Sequence, residues 1–145
     1  MRKLAIAIDG PAGAGKSSVA KILAANMGYA YLDTGAMYRA VTYEVLRREL
    51  TEEKDIVALA AGIDMTVKPE ADTMHVIVNG HDVTDYIRTP EVSAKVSAVS
   101  ALAGVRAAMV EIQRRQAAEG GIVLDGRDIG TTVLPHADVK IFLTA

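Results

Sequence analysis

With 145 residues, half of them apolar, the chain has the length of one ordinary domain and can bury a core without disulfides or metal. A formal charge of -2, a single Phe and no Trp exclude a broad basic surface and an aromatic platform for nucleic acid, so any phosphate site must be local. The absence of cysteine excludes a disulfide framework and thiolate metal sites and makes the cytoplasm the default compartment. Two basic residues open the chain, but Asp9 and Gly10 cut the following apolar run far short of a signal or membrane segment.

Residues 4–8 form a nearly continuous apolar run ending in a Gly-rich turn, the pattern of a parallel strand buried on both faces. Val19, Ala20, Leu23 and Ala24 recur at helical spacing over 16–27, and Gly28 stands where a C-cap belongs. A second strand is predicted at 29–32, followed by a helix over 36–48 that Thr34 can cap. Thr51, with Glu52 and Glu53 behind it, starts another helix that ends near Gly62. Between 63 and 83 the pattern alternates and Asn79-Gly80 marks a tight turn, which predicts a small antiparallel insert. Thr89-Pro90-Glu91 opens a helix carrying Val92, Val96 and Val99, and Gly104 interrupts it. A further helix is expected over 105–119, a third buried strand at 122–124 ending in Asp125, and a fourth strand at 139–143. This alternation argues an α/β fold with a parallel central sheet.

Gly10-Pro11-Ala12-Gly13-Ala14-Gly15-Lys16-Ser17 matches the phosphate-loop pattern in full and sits between a predicted strand and a predicted helix. Glycines at 10, 13 and 15 let the backbone wrap a phosphate with its N–H groups, and the helix aims its positive end at the same anion. Lys16 would reach the β and γ phosphates of ATP, Ser17 would ligate Mg²⁺ and Ser18 would add a phosphate contact. The motif does not separate kinases from other P-loop proteins, although no guanine-reading NKxD pattern is present.

An acceptor needs its own contacts. Asp33-Thr34-Gly35-Ala36-Met37-Tyr38-Arg39 follows the second strand, where ligands of open α/β folds bind, and Arg39 suits an acceptor phosphate. Asp125-Gly126-Arg127-Asp128 follows the third strand at the same edge. Asp125 is either a Walker B carboxylate acting on Mg²⁺ through water or a strand-ending Asp in a turn. Arg127 can neutralise phosphoryl charge, and Asp128 can accept from the amino group that cytosine has and uracil lacks. His75, His81 and His136 lack metal-ligand spacing, and Met37, Met65, Met74 and Met109 fall on apolar patterns expected in the core.

IDGPAGAGKSS, YLDTGAMYRAV, VNGHDVTDYIRTPEVS, Val105-Arg106 and LDGRDIGTTVLPHADVKIFLTA resemble consecutive blocks of the bacterial cytidylate kinase family over the whole chain. The resemblance implies a three-layer P-loop NTPase fold of adenylate-kinase type, with the insert at 63–83 inside the acceptor-binding region. It divides the chain into a core P-loop region, 1–33 and 120–145, and a CMP-binding region, 34–119. It implies that Thr34, Arg106 and Asp128 recognise cytosine, that Arg39 and Arg127 hold the CMP phosphate, and that Ser97 approaches the sugar. In a straight helix the nine residues from Ser97 to Arg106 span about 900 degrees and put the two on opposite faces, so a break is needed, and Gly104 can supply it. Ser97 also fits a row of small residues, Ser93, Ser97, Ser100 and Gly104, that permits close helix packing.

The implied activity is phosphoryl transfer from MgATP to CMP or dCMP, with Lys16, Arg39 and Arg127 offsetting charge and no nucleic acid or membrane as partner. Members of that family continue past Ala145 through an Arg-rich lid and final core elements. Weak or absent turnover is therefore expected of this chain alone, with self-association through an exposed strand at 139–143 where the complete family member is a monomer. A non-catalytic ATP-binding fragment and a kinase for another small acceptor are the alternatives.

Overall fold

A computed structural model describes residues 3–11, 14–70 and 73–144. In chain order the elements are β1 (Ala5–Asp9), α1 (Lys16–Met27), β2 (Ala30–Asp33), α2 (Thr34–Arg47), α3 (Glu53–Ala61), β3 (Met65–Glu70), β4 (Thr73–Val78) and β5 (His81–Asp82). A 3-10 turn at Thr84–Tyr86 leads to α4 (Pro90–Ser100) and α5 (Ala103–Ala117). Then come β6 (Ile122–Gly126), a π-helical turn at Ile129–Val133 and β7 (Val139–Phe142). Two compact units are built from them. The first comprises Met1–Thr34, Pro69–Met74 and Gln113–Ala145, and the second Gly35–Lys68 and His75–Ile112.

The first unit holds a four-stranded sheet in the order β2-β6-β1-β7. Every pairing in it is parallel, as the unbroken apolar runs of its strands require. Ile6, Ile8, Tyr31 and Val123 from the sheet and Ala20 and Ala24 from α1 make its core. Of the apolar residues at helical spacing in α1, Ala20, Leu23 and Ala24 pack on this core, whereas Val19 is 38% exposed. Gly28 ends α1 in the left-handed conformation, its N–H reaching the carbonyls of Ala24 and Ala25.

The second unit carries most of the small sheet, order β3-β4-β5, in which β4 and β5 pair antiparallel around Asn79 and Gly80. Both turn residues have positive φ, 50° and 84°, the geometry of a two-residue hairpin. Met37, Met65 and Met109 are buried in this unit and Met74 in the first, as core residues.

Three expected boundaries move. Helix α2 begins at Thr34 itself, so this residue lies inside the first turn. The N-cap of α3 is Glu52, without a side-chain capping bond, and not Thr51; Glu53 and Asp55 supply the favourable acidic first turn. The break after α4 falls at Ala101 and Leu102, bending α4 against α5 by 97°, while Gly104 is the second residue of α5. Its missing side chain serves packing: a Cβ there would collide with the Val57 side chain.

Candidate active site

Strand register assembles the candidate site on the first unit. Asp9 lies beside Gly126, and Asp33 beside Asp125, so three strands deliver their carboxyl ends to one edge. The P-loop leaves the end of β1, a strand with a neighbour on each side, where open parallel sheets form a ligand crevice. Its residues Ala12 and Gly13 lie outside the described ones. On either side of them, the Gly10 N–H donates to the Gly126 carbonyl at 3.3 Å and the Ala14 N–H to the Pro11 carbonyl at 3.3 Å. Gly15 is the N-cap of α1, left-handed at φ 82° and with no side-chain capping bond, a conformation that a β-carbon would disfavour. Lys16 is half-buried in the first helical turn, with Ser17 and Ser18 exposed beside it.

Three buried polar side chains underlie this edge: Asp9, Thr34 and Asp125. The Thr34 hydroxyl donates to the Asp125 carbonyl at 2.8 Å. Gly126 leaves room for this contact, since a Cβ would stand 2.6 Å from the Thr34 Oγ1. The Asp125 Oδ2 accepts from the Tyr31 hydroxyl at 2.8 Å. Burial, and then the charge of Asp33, push the Asp125 carboxyl up to about 6, against the opposing pull of the Tyr31 hydroxyl, Lys16 and Lys21. Asp9 accepts from two successive backbone N–H groups, Ile129 at 2.6 Å and Gly130 at 2.7 Å. Between these anchors Arg127 is exposed and Asp128 half-buried. The Asp128 carbonyl opens the π-helical turn by accepting from Thr132 at 2.9 Å and Val133 at 3.3 Å.

The remaining predicted residues belong to the second unit. Arg39, half-buried on α2, donates through Nη1 to the Ile87 carbonyl at 3.3 Å and to the Ser93 Oγ at 3.0 Å. Ser97 is exposed on α4, and its carbonyl accepts the Ala101 N–H at 3.1 Å, which closes that helix. Arg106 is exposed in the first turn of α5, beyond the 97° bend, so the straight-helix relation between it and Ser97 does not hold.

Asp9, Tyr31 and Ser93 are the residues that sequence reasoning passed over. Asp9 had a visible signal: a carboxylate closing an otherwise apolar buried strand needs donors. Ser93 stood in a row read as packing, and its contact with Arg39 bridges 54 positions.

A carboxylate and a hydroxyl are the hard oxygen donors that Mg²⁺ takes, and Ser17 and Asp125 provide them within this unit. A cation held there would favour the ionised form of Asp125, against the burial that raises its pKa. No single helix among the described residues is long and apolar enough to cross a membrane.

The family model described as cytidylate kinase matches residues 6–145. The cytidylate kinase of Desulfitobacterium hafniense is 53% identical over 146 residues, covering 99% of this chain and 62% of that protein. Those of Bacillus licheniformis and Bacillus subtilis are 54% and 52% identical, each covering 99% of this chain and 65% of the relative. The chain thus spans less than two thirds of the length of these relatives.

Proposed function

Because the chain belongs to the cytidylate kinase family, we propose that the protein transfers the γ-phosphoryl group of ATP to CMP or dCMP, giving ADP and CDP or dCDP. One observation carries this reading: the P-loop, Thr34 and the 125–128 segment meet at one edge of a parallel sheet. Phosphoryl transfer asks the protein mainly for positioning and charge neutralisation, and the acceptor is already an anionic phosphate oxygen, so no strong base is needed. Lys16 and the open amides at the start of α1 take the triphosphate. Ser17, and Asp125 through water, hold Mg²⁺, which when bound offsets phosphate charge. Arg127 meets the CMP phosphate, and Asp128 accepts from the cytosine amino group. For Arg39, Arg106 and Ser97, on the second unit, the family resemblance supports roles toward an acceptor phosphate, base and sugar respectively.

The Thr34 hydroxyl supports cytosine as the base. Its proton is engaged by the Asp125 carbonyl, so toward a ligand Thr34 offers lone pairs and no donor. An acceptor there favours an amino group and disfavours the carbonyl that uracil carries at the same position. The lack of cysteine suits a reducing cytoplasmic setting.

Weak or absent turnover is proposed for these 145 residues alone, because they span 62% to 65% of the length of the cytidylate kinases they match. The test is ADP release with CMP, dCMP, UMP and AMP, using a chain that carries the further length of its relatives. CMP and dCMP should be the preferred acceptors. A preference for AMP or UMP would reject the cytosine assignment.

A further inference from the structure

We infer that Asp9, the last residue before the P-loop, is a positioning residue for acceptor recognition: its carboxylate fixes where Arg127 and Asp128 stand relative to the phosphate loop. The inference rests on the functional reading above, in which those two residues meet the acceptor. Asp9 is 7% exposed and both its oxygens are used, Oδ1 by the Ile129 N–H at 2.6 Å and Oδ2 by the Gly130 N–H at 2.7 Å. Hydrogen bonds of this charged kind are roughly twice as strong as neutral ones. The two amides immediately follow Arg127 and Asp128 in the chain. Just before that pair, the Gly126 carbonyl accepts from the Gly10 N–H at 3.3 Å. Residues 9 and 10, the entry to the P-loop, therefore hold the short acceptor segment at both of its ends. The fit is close, since a Cβ on Gly130 would lie 3.2 Å from the Asp9 Oδ2.

An anchor needed only for folding would stabilise the sheet without regard to ligand. An anchor that aims Arg127 and Asp128 acts on one substrate and on the choice of base. Asp9→Asn separates the two cases. It keeps size and one accepting oxygen but turns an amide NH₂ toward one of the two N–H donors, which frees one end of the clamp.

The experiment measures CMP, UMP and MgATP affinities by calorimetry on the 145-residue chain, wild type and variant, alongside thermal unfolding. The expected result is a loss of CMP affinity of about tenfold, as when outer-shell partners are removed elsewhere. The CMP-over-UMP preference should shrink while MgATP affinity changes less than about twofold. Gly130→Ala, which presses on the same oxygen, should reproduce this pattern and replaces Asp9→Asn if that variant does not fold. Affinities for CMP and UMP that fall by the same factor, or that stay unchanged, would overturn the inference while leaving the kinase reading in place. A wild-type chain that binds CMP no better than UMP would overturn both.

Discussion

The Asp125 carboxyl departs strongly from its free state. Its pKa is raised from 3.8 to about 6 by burial and the nearby Asp33. The sign follows directly: the folded protein favours the protonated acid, so this group's contribution is fully present below pH ~4 and is lost as pH rises through about 6. The loss amounts to about 3 kcal/mol. Asp125→Asn keeps an acceptor for the Tyr31 hydroxyl and removes the charge. The variant is expected to be more stable than the wild type at pH 7.5, with the difference vanishing near pH 4. Urea denaturation of both proteins across this range checks it, and a constant difference would show that Asp125 does not titrate there. Arg39 carries a second prediction. Its Nη1 is held by the Ser93 hydroxyl at 3.0 Å and the Ile87 carbonyl at 3.3 Å. Ser93→Ala leaves the carbonyl in place, so CMP affinity should fall by only a few-fold, about 1 kcal/mol for one hydrogen bond, with MgATP affinity unchanged. Titration of each nucleotide reads this out.

Helix α5 shows how packing overrides local propensity. A glycine after Leu102-Ala103 reads as a helix breaker, yet the chain turns at Ala101 and Leu102 and Gly104 is helical, because Val57 occupies the space where a Cβ would be. Gly104→Ala should therefore destabilise the protein by roughly 1–3 kcal/mol, although alanine is the better helix former. Adding Val57→Ala should recover part of that loss in a double-mutant cycle, and additive effects would contradict the contact. The same contrast explains what was legible in the sequence. The P-loop, the Gly28 cap, the Thr89-Pro90 start of α4 and the Asn79-Gly80 turn rest on residues a few positions apart, whose backbone preferences are local. Thr34 on Asp125 and Asp9 on Ile129 join residues 91 and 120 positions apart. Those contacts exist only because β6 lies between β1 and β2, and strand order is written in no local pattern. Thr34 was thus legible as a polar residue at a helix start, but the direction of its hydroxyl was not.

Beyond single elements, the strand arrangement bears on association. β7 pairs with β1 and ends the strand order, with Phe142 67% exposed and Val139 37%. An apolar edge of this kind invites pairing with another chain. Sedimentation of the 145-residue chain should show concentration-dependent association that Phe142→Lys reduces, and a monomer at all concentrations would contradict it. The kinase reading itself depends on the proposal that the P-loop, with Lys16, binds a triphosphate at the end of the central strand β1. Calorimetric titration of MgATP into the wild-type chain and into Lys16→Ala tests it. The wild type should bind, and the variant should lose about tenfold or more in affinity, as expected for a desolvated charge on phosphate. Equal affinity in the two proteins would contradict the assignment.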